Sequence, residues 1–138
     1  GNLKGELKDY SGAISDLNKA ITLDPNNALA IGNRGKIKTD LKDFREAIKD
    51  LNKAIELNPN FAKAFYNRGR SQYFLKNYSA AIKDFKNTIK IEPNLSLAYY
   101  NLGFIKAKQN NKKDACRYWK KGSDLGNLES KKAINLLC

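Results

Sequence analysis

Two arginine–aspartate pairs and three asparagines recur in this chain at spacings suited to ion pairing or peptide recognition. Arg34 and Arg68 each precede an aspartate, Asp50 and Asp84, by 16 residues. One unit later the same two slots hold Leu102 and Tyr118, so both charges vanish together. That joint exchange predicts an ion pair inside each unit in preference to a phosphate or carboxylate site. Removing one partner of such a pair, if buried, costs roughly 3–5 kcal/mol. Asn33, Asn67 and Asn101 share another slot. An amide donates and accepts at once, which suits an extended peptide backbone, although it can equally bond within its own repeat. The chain has no histidine, which removes the commonest general base and the commonest metal ligand. No nucleophile–base arrangement or metal-ligand cluster is present, and Gly1, Gly5 and Gly12 are too dispersed to cradle a phosphate. The sequence therefore reads as non-enzymatic, with no cofactor and no metal.

The two cysteines, Cys116 and Cys138, are equidistant from residue 127, where a turn between two helices is expected. Residues equidistant from the turn of an antiparallel hairpin lie side by side. The sequence leaves two outcomes open. Either the thiols bridge, stapling the last helix and implying an oxidising compartment such as periplasm or cell exterior, or Cys116 is a small core residue and Cys138 a free thiol. Localisation turns on that choice.

The framework holding these residues follows from a strict repeat. Pro25, Pro59 and Pro93 are 34 residues apart, and Gly1, Gly35, Gly69 and Gly103 and Ala13, Ala47, Ala81 and Ala115 keep the same period. One fixed period means a stack of equivalent units, each contacting mainly its neighbours. Each unit holds two amphipathic stretches. Residues 62–75 carry small or apolar residues at Ala62, Phe65 and Gly69, and Tyr78, Ala81, Ile82, Phe85 and Ile89 form an i, i+3, i+4, i+7 stripe. Residues 75–78 make a short turn, which favours antiparallel neighbours. The second helix ends before proline, and Asn94 is placed to cap the next one. Gly69 and Ala81 lack bulk where the helices cross, and Phe65 and Phe85 fill the space beside them. The expected organisation is a partial repeat over 1–27, repeats over 28–61 and 62–95, a degenerate repeat over 96–127 and a capping helix over 128–138. Residues 1–8 read as the tail of a first helix whose partner runs from Tyr10 to Leu23, giving nine helices and suggesting a piece of a longer array.

Charge is distributed unevenly. Residues 1–61 carry 10 basic and 9 acidic side chains, 62–95 carry 7 and 2, and 96–138 carry 9 and 3, within a total of +12. A basic C-terminal half could attract acidic peptides, RNA or another polyanion. The lysines are scattered singly, which makes nucleic acid the less favoured partner. No apolar run approaches the roughly 18 residues of a membrane span.

These residues together resemble the tetratricopeptide repeat family: Gly35/Gly69/Gly103, Phe44/Tyr78, Ala47/Ala81/Ala115, Leu51/Phe85/Trp119, Ala54 and the three prolines. Lys38, Gln72 and Lys106 depart from the family's usual aromatic, and Thr88 and Gly122 from its small alanine. The Cys116, Trp119 and Gly126 pattern is similar to the C-terminal ends of some bacterial members, where a tryptophan-bearing helix closes the array. The resemblance implies an all-α right-handed solenoid of antiparallel helix pairs that holds a segment of another protein in its concave groove. Read by helical spacing, the groove face comprises Asn33, Lys36 and Asp40, then Lys63, Tyr66, Asn67, Arg70 and Phe74, then Leu97, Tyr100, Asn101, Phe104 and Lys108. The aromatics would supply apolar contact, and Lys63, Arg70 and Lys108 positive potential for an acidic partner. Some family members clamp the C-terminal carboxylate of heat-shock chaperones. Asn2, Asn33 and Lys63 match that clamp, but Asn67 replaces one of its cations, which argues against that ligand. The incomplete first helix leaves an apolar end through which copies could self-associate.

Overall fold

The computed structural model describes residues 3–138, with side chains from Asp9 onward. Eight helices follow one another: α1 (Leu3–Leu23), α2 (Ala28–Asp40), α3 (Phe44–Leu57), α4 (Ala62–Phe74), α5 (Tyr78–Ile91), α6 (Ser96–Lys108), α7 (Lys112–Asp124) and α8 (Leu128–Leu137). Helices α2 and α3, α4 and α5, and α6 and α7 pair as antiparallel hairpins that stack into an all-α solenoid, with α8 closing it against α7.

The hairpin turns share one device. Lys42, Lys76 and Asn110 adopt left-handed backbone, with φ of 67°, 65° and 61°. Each costs about 1–2 kcal/mol for a residue with a Cβ, and the burial between the two helices outweighs it. The crossing points need glycine. A Cβ on Gly35 would lie 2.7 Å from Leu51 Cγ, one on Gly69 3.0 Å from Phe85, and one on Gly103 would strike the Trp119 indole. Leu51, Phe85 and Trp119 fill the same slot in successive units and are at most 1% exposed. The core is therefore a ribbon running along the stack, with Ile31, Leu51, Ala54 and Ala64 at one end and Phe85, Leu102 and Ile105 further on. Thr88, in a slot the family fills with alanine, is buried but bonds its hydroxyl to the Asp84 carbonyl at 2.9 Å.

Two expectations are corrected. Nine helices were expected, with a turn before Tyr10, yet α1 is one continuous helix of 21 residues. Lys8, in the slot of Lys42 and Lys76, stays helical. The segment 3–23 contains no proline, so nothing in it removes a backbone donor and the hydrogen-bond ladder runs on unbroken. Asn94 is not a cap either. The residue before α6 is Leu95, whose side chain accepts no bond. Capping amides instead occur at Asn27, which accepts from Ala30 N at 3.1 Å, and at Asn111 and Asn127.

Among the described residues no helix is long and apolar enough to cross a membrane. Cys116 on α7 and Cys138 beyond α8 are joined as a disulfide with Cα atoms 6.0 Å apart.

Candidate peptide-binding groove

The first helices of the pairs, α2, α4 and α6, present one face to the core and the other to the residues named from helical spacing. Two recurring ion-pair clusters fix their pitch. Arg34 donates to both Asp50 oxygens, at 2.8 and 2.7 Å, and to Asn18 Oδ1 at 2.9 Å. Arg68 repeats this with Asp84, at 3.0 and 2.8 Å, and Asn52 at 2.9 Å. Each guanidinium thus ties its own hairpin to the preceding helix. The intra-unit pairs expected from sequence are present, and Arg34 and Arg68 are structural. The two asparagines are an addition to that expectation; their signal is their own 34-residue spacing, with Lys86 in the unit where the arginine is lost. Lys38, which departs from the family pattern, adds a 2.9 Å bridge to Asp50. Burial alone would push the Asp50 carboxyl up, but the bonds and charges of Arg34 and Lys38 outweigh it and hold it below the ordinary carboxylate range.

Six of the expected groove residues converge. Tyr66, Arg70, Phe74, Tyr100, Asn101 and Phe104 line a cleft of about 220 Å³ between α4 and α6, together with Tyr73 and Phe85. Phe74 and Phe104 are 54% and 39% exposed, too much for core residues. Phe74 stacks on Phe44 at 5.0 Å, and Tyr73 meets Phe104 edge-on at 6.0 Å. Asn101 Nδ2 donates to the Tyr66 hydroxyl at 3.3 Å across the cleft. Lys108 lies on the rim, its Nζ 5.4 Å from the Phe104 ring centre and 5.7 Å from that of Tyr73. Helical spacing alone marks Tyr73 and Phe85 as packing residues. Yet Tyr73 is seven residues after Tyr66, two helical turns along the same face.

The remaining residues behave differently. Asn67 is buried, donates to the Lys63 carbonyl at 2.9 Å and accepts from Arg70 at 3.1 Å, whereas Asn33 is exposed. The three asparagines therefore occupy three environments and do not form a uniform ladder. Arg70 also bonds Asp40 at 3.2 Å, and Lys36 reaches the same carboxylate at 3.3 Å, so much of their charge is locally neutralised. Lys63 is exposed on the same helix as Arg70.

The family model described as "Tetratricopeptide repeat" matches residues 62–95 and a second so described matches 1–27, while a "TPR repeat" model matches 35–76. Together they span well over half the chain. The chain belongs to the tetratricopeptide repeat family. Among solved structures the array is similar to "Crystal structure of MamA", at 26% identity and a TM-score of 0.86, covering 97% of this chain and 80% of that one. A second MamA structure gives 26% identity and 0.84, covering 97% and 74%. MamA residues 41 to the end from Desulfovibrio magneticus RS-1 gives 22% and 0.78, covering 88% and 68%, which bears on the fold alone. No curated protein sequence matches significantly. Of the chaperone-tail clamp positions in this array, Asn2 lies outside the described residues and Asn67 is turned into its own helix. The apolar end expected over residues 1–8 also lies outside the described side chains. As a tetratricopeptide array the protein is a scaffold for protein–protein interaction.

Proposed function

We propose that this scaffold binds a peptide segment of a partner protein along the face formed by α2, α4 and α6, without catalysing a reaction. The observation that carries the reading is the exposure of Phe74 and Phe104 beside a cleft walled by further aromatics, on the side of the first helices away from the core. Rings clustered around a hollow with this much surface left open mark interaction sites, and such anchors dominate binding energy at interfaces. A hollow lined by Tyr10, Phe44, Arg70 and Phe74 shares residues with the cleft on one side, and one lined by Tyr100, Phe104, Trp119 and Leu136 on the other. A segment laid along the face would cross all three. The groove is prearranged by the stack, so the bound segment alone bears most of the ordering cost.

Peptides selected from a random twelve-residue display library against the full chain test this. Replacing Phe74 and Phe104 together by Ala is expected to weaken such peptides about 30-fold or more, in a variant whose circular dichroism shows the array still folded. Unchanged affinity would refute the groove.

A second reading has its own observation. Lys83, Lys86 and Lys90 on α5 and Lys113, Lys120 and Lys121 on α7 are exposed, on the second helices of their hairpins. None has a carboxylate within 4.0 Å among the described residues. This ridge would bind RNA or another polyanion through counterion release, with affinity falling linearly in log salt. It predicts that the aromatic variants bind as tightly as the parent.

A further inference from the structure

The cleft between α4 and α6 is a departure from the repeat, and its cause lies in three slots. Between α2 and α4 the helices approach closely. Gly32 has Phe61 where its Cβ would be, at 2.6 Å, and the hydroxyls of Thr39 and Ser71 meet at 2.9 Å. One unit later the slots of Gly32, Thr39 and Ser71 hold Tyr66, Tyr73 and Ile105. These larger side chains prevent the same approach, so the backbones of α4 and α6 stand further apart than those of α2 and α4. The space left is the cleft of about 220 Å³.

We propose that this cleft is a specificity pocket for one aromatic side chain of the bound segment, with an acidic residue next to it on Lys108. The inference rests on the groove reading and adds the chemistry of the ligand. The volume fits one ring: an apolar cavity of about 150 Å³ takes up benzene, and 220 Å³ is too small for a helix. The walls are aromatic at Tyr66, Tyr73, Phe85 and Phe104, which favours an edge-on or offset incoming ring over an aliphatic chain. Charge sets the neighbour. At one rim the Arg70 guanidinium is engaged by Asp40 and Asn67. At the other, Lys108 has no carboxylate within 4.0 Å among the described residues and is held against the rings of Phe104 and Tyr73. A second copy is a poor occupant, because two chains of +12 repel.

Indole-3-acetate, a ring bearing a carboxylate, is the minimal probe, and tryptamine, a similar ring bearing a cation, is its control. Amide shifts of the full chain titrated with each report site and affinity. The expected result is shifts confined to the residues around Tyr73, Phe104 and Lys108, with indole-3-acetate about tenfold tighter than tryptamine. Lys108→Glu should abolish that preference and Phe104→Ala should weaken both probes. Lys108 is solvent-exposed, so its variant keeps the test valid should Phe104→Ala unfold. Shifts elsewhere, or equal binding of both probes, would overturn the pocket. The display selection separates the two claims. Peptides that lose affinity in the Phe74→Ala, Phe104→Ala double variant but carry no aromatic–acidic pair would overturn the pocket and leave the groove standing. Failure of both would overturn both.

Discussion

Among single residues, the two arginines tie each hairpin to the helix before it. Asp84 has a side chain only 5% exposed and depends on Arg68 for its charge partner. Arg68→Ala strands that carboxylate, and a loss of about 3 kcal/mol is expected by chemical denaturation. Asp50 makes a pH prediction. Its carboxyl is held below the ordinary range in the folded state, so its contribution is fully present above the unfolded value of about 3.9 and is lost as pH falls through the lower folded value. The parent should lose stability below about pH 4, and Asp50→Asn, already weaker at pH 7, should show a shallower slope between about pH 5 and 3. These pairs were legible because both charges disappear together in the following unit, where Leu102 and Tyr118 occupy the two slots. Asn18 and Asn52 were not legible, since a surface amide signals nothing until a guanidinium is seen beside it.

Among the helices, the crossings set what the sequence may vary. Gly103→Ala would drive a Cβ into the Trp119 indole, and a cost of about 1–3 kcal/mol is expected. Gly12, inside α1 where a Cβ would meet nothing within 4 Å, should behave oppositely, with Gly12→Ala gaining about 0.5–1 kcal/mol. Thermal melts of the two variants check both signs. Helix α8 is a thin element, with Leu128 and Leu136 exposed at 69% and 83% and Ser130 its one fully buried residue. The Cys116–Cys138 link closes 22 residues around it. Cys138→Ser is expected to loosen α8 by about 3 kcal/mol, accelerating its amide exchange about a hundredfold and leaving α3 and α5 unchanged. The periodic helices from Ala28 to Asp124 were readable because proline, glycine and apolar spacing agree there. Helix α1 was not, because Leu7 to Tyr10 carries the residue types that make the turns at 41–44 and 75–78 yet stays helical.

Across the whole molecule, two faces of one solenoid carry different chemistry. The first helices offer exposed rings and partly neutralised cations, and α5 and α7 offer lysines without nearby carboxylates. Helical spacing marked the first face and left open that an asparagine bonds within its own repeat, as Asn67 does, but it could not foresee that α4 and α6 part. That parting depends on contacts between units, where a tyrosine in place of Thr39 or Gly32 changes a distance that no single repeat encodes. If partner segments bind on the side of α2, α4 and α6, a display-selected peptide must leave its footprint there on the amide shifts of the full chain. Perturbations concentrated in Tyr66–Phe74 and Tyr100–Lys108 are predicted. Perturbations concentrated on the exposed lysines of α5 and α7, with those two segments unmoved, would contradict it.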